Sequence, residues 1–282
     1  MALKVKVKDM PKTIDDIRDL FKGTLKEGTI FEAIKVLNDD PDFHKLPFLE
    51  QMNYLGLFVR DIRLENRYER LKKKSLISDA AATVYNVEKL SSDNSLQVSE
   101  VDYIINALLS EECRFLIVSG PTGVGKTSFG SSIIDMVLHR GFPAIYKQYS
   151  LEMYYLTSLY KSHTTYAERL LSLVKCKVLM LDDFILNSHQ DFELDCLKEL
   201  IDCAMANKTS IILSSQVMPD DWYKELARLN SSPNAKLQID AIIDRIFADP
   251  IIVKMSGESK RGLNKTGKVF NAKSNLGGSN GK

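Results

Sequence analysis

The chain has 282 residues, 44% of them apolar and 27% charged, with a formal net charge of +1. That composition is that of an ordinary globular protein with room for one large domain or two, and it excludes a disordered or fibrous chain. No apolar stretch reaches the roughly 18 residues of a membrane span, and near-neutral charge confines any nucleic-acid contact to local basic patches.

The start, Met1-Ala2-Leu3-Lys4-Val5-Lys6, lacks the apolar core of a secretion signal, so a cytoplasmic location with no membrane partner is expected. Cys113, Cys176, Cys196 and Cys203 have no C-x-x-C spacing, and three of them lie in or beside apolar runs. They read as reduced core thiols, and the scattered histidines form no metal pattern.

Residues 12 to about 78 read as helical. Thr13 is a plausible N-cap, Asp15 and Asp16 suit a first turn, and Ile14, Ile17, Leu20 and Phe21 form an apolar face. A second helix is expected over Ile30–Leu37, stopped by Asn38-Asp39-Asp40-Pro41. A long third helix is expected from about Pro47 to Lys74. On it Arg60, Arg63, Arg67, Arg70 and Lys74 recur at i+3 or i+4 and share one face, while Asp61, Glu65 and Glu69 make a separate acidic stripe. Such a face is either a solvated surface held by pairs such as Glu69 with Lys73 or a phosphate-backbone contact.

Periodicity is lost over 75–97, around Ser91-Ser92-Asp93-Asn94-Ser95, which places a linker there. The expected organisation is a helical amino-terminal domain (1–80), a linker (81–98), an α/β domain (99–262) and a basic, flexible tail (263–282). A helix is expected over Ser99–Leu109. From 113 onward strands alternate with helices: strands at 114–119, Ala144–Lys147, Val178–Leu181 and Ile211–Leu213, and a tyrosine-rich helix over Ser150–Tyr160. This alternation predicts a parallel sheet covered by helices.

Residues 120–127, Gly-Pro-Thr-Gly-Val-Gly-Lys-Thr, match the full phosphate-loop pattern G-x-x-x-x-G-K-[ST]. The apolar run Arg114–Ser119 precedes it as a strand, and Ser128–Arg140 follows with helical spacing at 129, 133, 134, 137 and 138. In that order each part has a task. Gly120, Gly123 and Gly125 permit the tight turn that aims backbone N–H groups at phosphate oxygens, and Pro121, Thr122, Val124 and Ser128 complete the cradle. Lys126 supplies a point charge at the terminal phosphates, and Thr127 a hydroxyl for Mg²⁺. ATP with Mg²⁺ is the expected ligand.

Val178-Leu179-Met180-Leu181-Asp182-Asp183 has the form of a buried strand with carboxylates at its carboxyl end, where ligands bind in such sheets. Asp182 is the expected metal residue and Asp183 the group that orients and deprotonates the attacking water. Many ATPases place Glu there. Asp is one methylene shorter, which implies slow hydrolysis. The next strand ends in Leu213-Ser214-Ser215-Gln216, where a polar side chain senses the γ-phosphate; Gln216 is the first choice and Ser215 the second.

Further elements complete a pattern: Asp183-Phe184, then Ser215-Gln216, Pro219 and Asp221-Trp222-Tyr223, then Asp240–Arg245, and Gly257-Glu258-Ser259-Lys260-Arg261. With Leu46–Glu50 ahead of the Arg-rich helix, the chain from about 15 to 262 resembles the IstB transposition-helper ATPases, relatives of the DnaC helicase loaders within the AAA+ group. The resemblance implies an AAA+ P-loop ATPase core that oligomerises, binds duplex DNA and regulates a transposase; the alternative is a replicative helicase loader. It makes Arg245 the candidate arginine finger, reaching a neighbouring subunit's site, and Arg261 the candidate sensor over bound nucleotide. It also turns the Arg60–Lys74 face toward DNA. Phe192-Glu193-Leu194 stands where family members often carry Glu-Arg-Arg, and no histidine follows the Asp244-Arg245 pair.

Overall fold

Continuous apolar runs make the centre of the sheet. In the computed structural model, which describes residues 27–77, 88, 90–91, 96–185, 192–229 and 235–256, strands β1 (Phe115–Ser119), β3 (Val178–Asp182) and β4 (Ser210–Ser215) are buried at every position. Strands β2 (Ala144–Gln148) and β5 (Pro250–Lys254) are less buried and lie at the two edges. The order is β2-β3-β4-β1-β5, and every pairing is parallel. Pro250, which has no N–H to give a ladder, opens an edge strand, where its loss costs least.

Successive residues of a strand face opposite sides, and the core divides accordingly. Ile117, Leu179, Leu181, Ile211 and Leu213 pack on one face against α5 (Tyr149–Leu159), α6 (His163–Leu173), α7 (Glu193–Ala206), α8 (Trp222–Leu229) and α9 (Ala235–Phe247). Leu116, Val118, Val178, Met180 and Ile212 pack on the other against α3 (Val98–Leu108) and α4 (Lys126–His139). The result is a parallel sheet between helical layers with the phosphate loop at the carboxyl end of β1, preceded by helices α1 (Glu27–Asn38) and α2 (Phe48–Ser75). Helix α6 lies where the sequence suggests no element, although Tyr166, Leu170 and Leu173 stand at helical spacing and are buried.

Helix α2 docks on the nucleotide-loop side of the sheet through its carboxyl half. Tyr68 is buried there, donates a 2.7 Å hydrogen bond to Asp135 of α4 and stacks on His139 with ring centroids 3.7 Å apart. Burial, reinforced by the bond to Asp135, pushes the Tyr68 hydroxyl up to about 12. The helix expected from Thr13, most of the linker, the segment carrying Arg261 and the basic tail lie outside the described residues.

Candidate nucleotide site

β1 delivers the chain to the loop between its two neighbours. Met255 N–H donates to Ser119 O (2.7 Å) and Gly120 N–H to Ser215 O (3.3 Å). Gly120 has φ +155°, and a Cβ there would come within 2.2 Å of the Met255 carbonyl oxygen. No other residue fits without moving backbone. Gly125, at φ +103°, turns the chain into α4, whose first residue is Lys126. The first turn of α4 therefore begins directly at the loop, and a helix start is the usual anion cradle. Val124 is buried beneath the loop, while Pro121 and Thr122 are exposed. The Ser128 carbonyl accepts from Ser132 Oγ at 2.9 Å. Lys126 is buried, and its Nζ donates to the carbonyls of Gly120 and Pro121, each at 2.8 Å.

The buried Asp182 carboxylate is the focus of three hydroxyls from three elements. Thr127 Oγ1 lies 3.1 and 2.9 Å from its two oxygens, Tyr146 of β2 donates to Oδ2 at 2.9 Å, and Ser214 of β4 donates to Oδ1. Burial, with the adjacent Asp182 charge, raises the Tyr146 hydroxyl above its ordinary value, so it remains a donor at neutral pH.

Asp183 follows in the left-handed region, φ 55°, and so does Ile185, φ 66°, an unfavourable place for a β-branched residue. This turn is held from β4 and from below. Asp183 N–H donates to Ser214 Oγ (3.3 Å), Phe184 N–H to Ser214 O (2.7 Å), and Ser215 Oγ to Phe184 O (2.9 Å). The Phe184 ring is fully buried, edge-on to Tyr149 and Trp222 at centroid distances of 4.9 and 4.8 Å. Backbone strain at a carboxylate, held by such packing, is a mark of functional sites. Gln216 bridges the site: its Nε2 donates to Asp183 Oδ1 at 3.4 Å, and Thr122 Oγ1 donates to its Oε1.

The structure thus brings Lys126, Thr127, Asp182, Asp183 and Gln216 of the sequence-predicted set together. Ser215, the second choice for sensor, has its hydroxyl engaged with Phe184 O and Val217 N–H. Arg245 pairs with Asp202 of α7 (2.7 Å) and donates to Ala241 O (2.8 Å); neither partner belongs to the loop or to the carboxylate pair. Arg261 lies outside the described residues. Tyr146 escaped sequence reasoning because it sits in an ordinary strand pattern with no motif. The role of Ser214 was readable only as one of two serines beside Gln216.

Arg60, Arg63, Arg67, Arg70 and Lys74 are all exposed on α2. Arg60 pairs with Asp61 at 3.0 Å, and the Arg67 guanidinium lies over Gly141 at the α4–β2 turn.

ATP with Mg²⁺ fits these residues. Among the described residues no group of three or more His, Cys, Asp and Glu is placed to hold a metal. One hydroxyl and one carboxylate suit Mg²⁺, which keeps waters and phosphate oxygens as its other ligands. The cysteines are free thiols, and burial pushes Cys113 and Cys196 up to about 11 and Cys176 up to about 12. No helix among the described residues is long and apolar enough to cross a membrane.

The chain is similar to known proteins. The family model described as IstB-like ATP binding protein matches residues 27–267. An ATP-binding protein in an insertion sequence of Mycobacterium tuberculosis is 28% identical over 156 residues, 55% of this chain and 58% of that protein, less than two thirds of its length. The ATP-binding protein of insertion sequence IS1162 from Pseudomonas fluorescens is 28% identical over 196 residues, 68% of this chain and 82% of that protein. Among solved structures, the DnaC helicase loader is similar with 16% identity and a TM-score of 0.46, covering 56% of this chain and 88% of its own.

Proposed function

The chain belongs to the family of IstB-like ATP-binding proteins, and we propose that it is a slow, Mg²⁺-dependent ATPase that assembles on duplex DNA in the cytoplasm and regulates a transposase. The carrying observation is the convergence of Lys126, Thr127, Asp182, Asp183 and Gln216 at the carboxyl ends of β1, β3 and β4. Relatives named for insertion sequences support the transposition setting.

Each residue has a definite task. The backbone N–H groups of 120–128 and the start of α4 bind the phosphates, and Lys126 neutralises charge at the terminal ones. Thr127 and Asp182 would hold the ion. Asp183 accepts the proton of the attacking water, with Gln216 fixing its carboxylate and contacting the γ-phosphate. Bound ATP with Mg²⁺ supplies the phosphoryl group and the charge that distinguish one assembly state from the other. Arg245, released from Asp202, enters a neighbouring copy's site, where its fixed charge stabilises charge developing on the phosphate. The family resemblance makes Arg261 the candidate that would close over the nucleotide. The Arg60–Lys74 face of α2 contacts DNA phosphates.

The test is duplex-DNA binding by the purified protein with ATP, with ADP and without nucleotide, while light scattering follows particle size. Assembly that needs ATP and is lost in Lys126→Ala supports the reading. Absence of duplex binding in every nucleotide state overturns it, and copurification with a hexameric helicase then favours the loader activity.

A further inference from the structure

The proposal concerns how the metal-holding carboxylate is kept in place. Asp182 ends β3, and its sheet neighbours are β2 on one side and β4 on the other. Each neighbour supplies one donor: Ser214 of β4 to Oδ1, and Tyr146 of β2 to Oδ2 at 2.9 Å. In the β2–β3 register Gln148 stands opposite Asp182, and Tyr146 opposite Met180. Tyr146 therefore sits two residues, about 6.6 Å, behind the carboxylate on the same side of the sheet. A serine at 146 is too short to cover that offset, and a phenylalanine covers it without a donor. Tyrosine spans it and ends in a hydroxyl.

Of the three hydroxyls at Asp182, that of Thr127 belongs to the expected ligand set of Mg²⁺. Those of Ser214 and Tyr146 do not, and they pin one oxygen each. Metal-ligating carboxylates are oriented by such outer partners, whose loss typically costs about 10–100-fold in metal affinity or activity.

We propose that Tyr146 is a positioning residue for the metal site, holding Asp182 Oδ2 so that the carboxylate meets a divalent cation in one fixed orientation. This rests on the ATP and Mg²⁺ reading of the loop. It sets Tyr146 apart from the rest of β2, since the strand's main chain serves the sheet and this one hydroxyl serves the ion.

The test uses the full-length chain and Mn²⁺ as the probe. Electron paramagnetic resonance measures Mn²⁺ affinity in the presence of ADP, and a fluorescent ADP analogue measures nucleotide affinity in chelator. For Tyr146→Phe the expected result is a rise of roughly tenfold in the Mn²⁺ dissociation constant, with metal-free nucleotide affinity within about twofold of wild type. The Mn²⁺-induced rise in melting temperature, measured within each variant so that a general loss of stability cancels, is smaller in Tyr146→Phe. Asp182→Asn is the control. If Asp182→Asn loses Mn²⁺ while Tyr146→Phe binds it like wild type, the Tyr146 role is overturned and the metal reading stands. If metal and nucleotide affinities fall together in Tyr146→Phe, the residue is merely structural and the proposal is equally overturned. If Asp182→Asn binds Mn²⁺ unchanged, the metal reading fails and the proposal falls with it.

Discussion

The nucleotide site and the basic face of α2 are built in opposite ways. At the site, polar groups are buried or half-buried and each is held by another element: Asp182 by Thr127, Tyr146 and Ser214, and Asp183 by Ser214 and Gln216. On α2 the cationic groups are exposed, and Arg60 finds its partner in the adjacent Asp61. The first region depends on fixed geometry in a sheltered environment, where one misplaced atom is felt strongly. The second depends on summed charge in water, where each group contributes little and salt screens it. The buried Tyr68–Asp135 bond on α4 joins the two regions.

The contrast predicts a ranking. Gly120→Ala is the harshest change, since its Cβ meets the Met255 carbonyl oxygen at 2.2 Å in a left-handed backbone; a loss of about 3–4 kcal/mol in denaturant unfolding is expected. Lys126→Ala keeps the fold and lowers ATP affinity by roughly 100-fold in calorimetric titration, the scale of a lost charge-assisted contact. Tyr68→Phe leaves the buried Asp135 short of a donor and costs about 2 kcal/mol.

The same tyrosine gives a pH signature. Its folded value, about 12, lies above its ordinary value of 10. The unionised form is therefore favoured by folding, and the stability this contributes is complete below about pH 10 and lost as pH rises through 12. Alkaline melting curves of wild type show this loss on top of that from the buried cysteines and Tyr146, whose values are also raised, and the loss between pH 10 and 12 is smaller in Tyr68→Phe.

Smallest is the effect on α2. Changing Arg63, Arg67 and Arg70 together to Gln lowers duplex affinity by roughly tenfold and reduces the salt slope by about 2.7, near 0.9 for each lost phosphate contact. Arg60→Gln alone moves the slope by well under 1, because Asp61 already neutralises it. An unchanged slope in the triple variant removes the DNA face from α2 while leaving the nucleotide site untouched.

This contrast also explains what was legible in the sequence. The phosphate loop occupies eight consecutive residues with rigid backbone demands, and the carboxylates follow an unbroken apolar run, so both can be read locally. The central strands β1, β3 and β4 are readable because burial on both faces makes them continuously apolar. Tyr146 and Ser214 are different. Their roles arise only when β2 and β4 flank β3, a long-range pairing that local spacing does not encode. Likewise Tyr68 reads as one more residue between Arg67 and Glu69 on a charged helix. Its meaning comes from Asp135, 67 residues away. The strained turn at Asp183 and Ile185 is not readable from the sequence either: Asp tolerates positive φ without requiring it, a β-branched Ile disfavours it, and the buried Phe184 between them packs on Tyr149 and Trp222.

The most direct test of the central claim, that these carboxylates form a hydrolytic nucleotide site, is single-turnover ATP hydrolysis by wild type and by Asp183→Asn with Mg²⁺. The account predicts ATP affinity within about twofold of wild type and a hydrolysis rate lower by roughly 10²–10⁴, the contribution of a positioned general base. Hydrolysis at the wild-type rate in Asp183→Asn contradicts it.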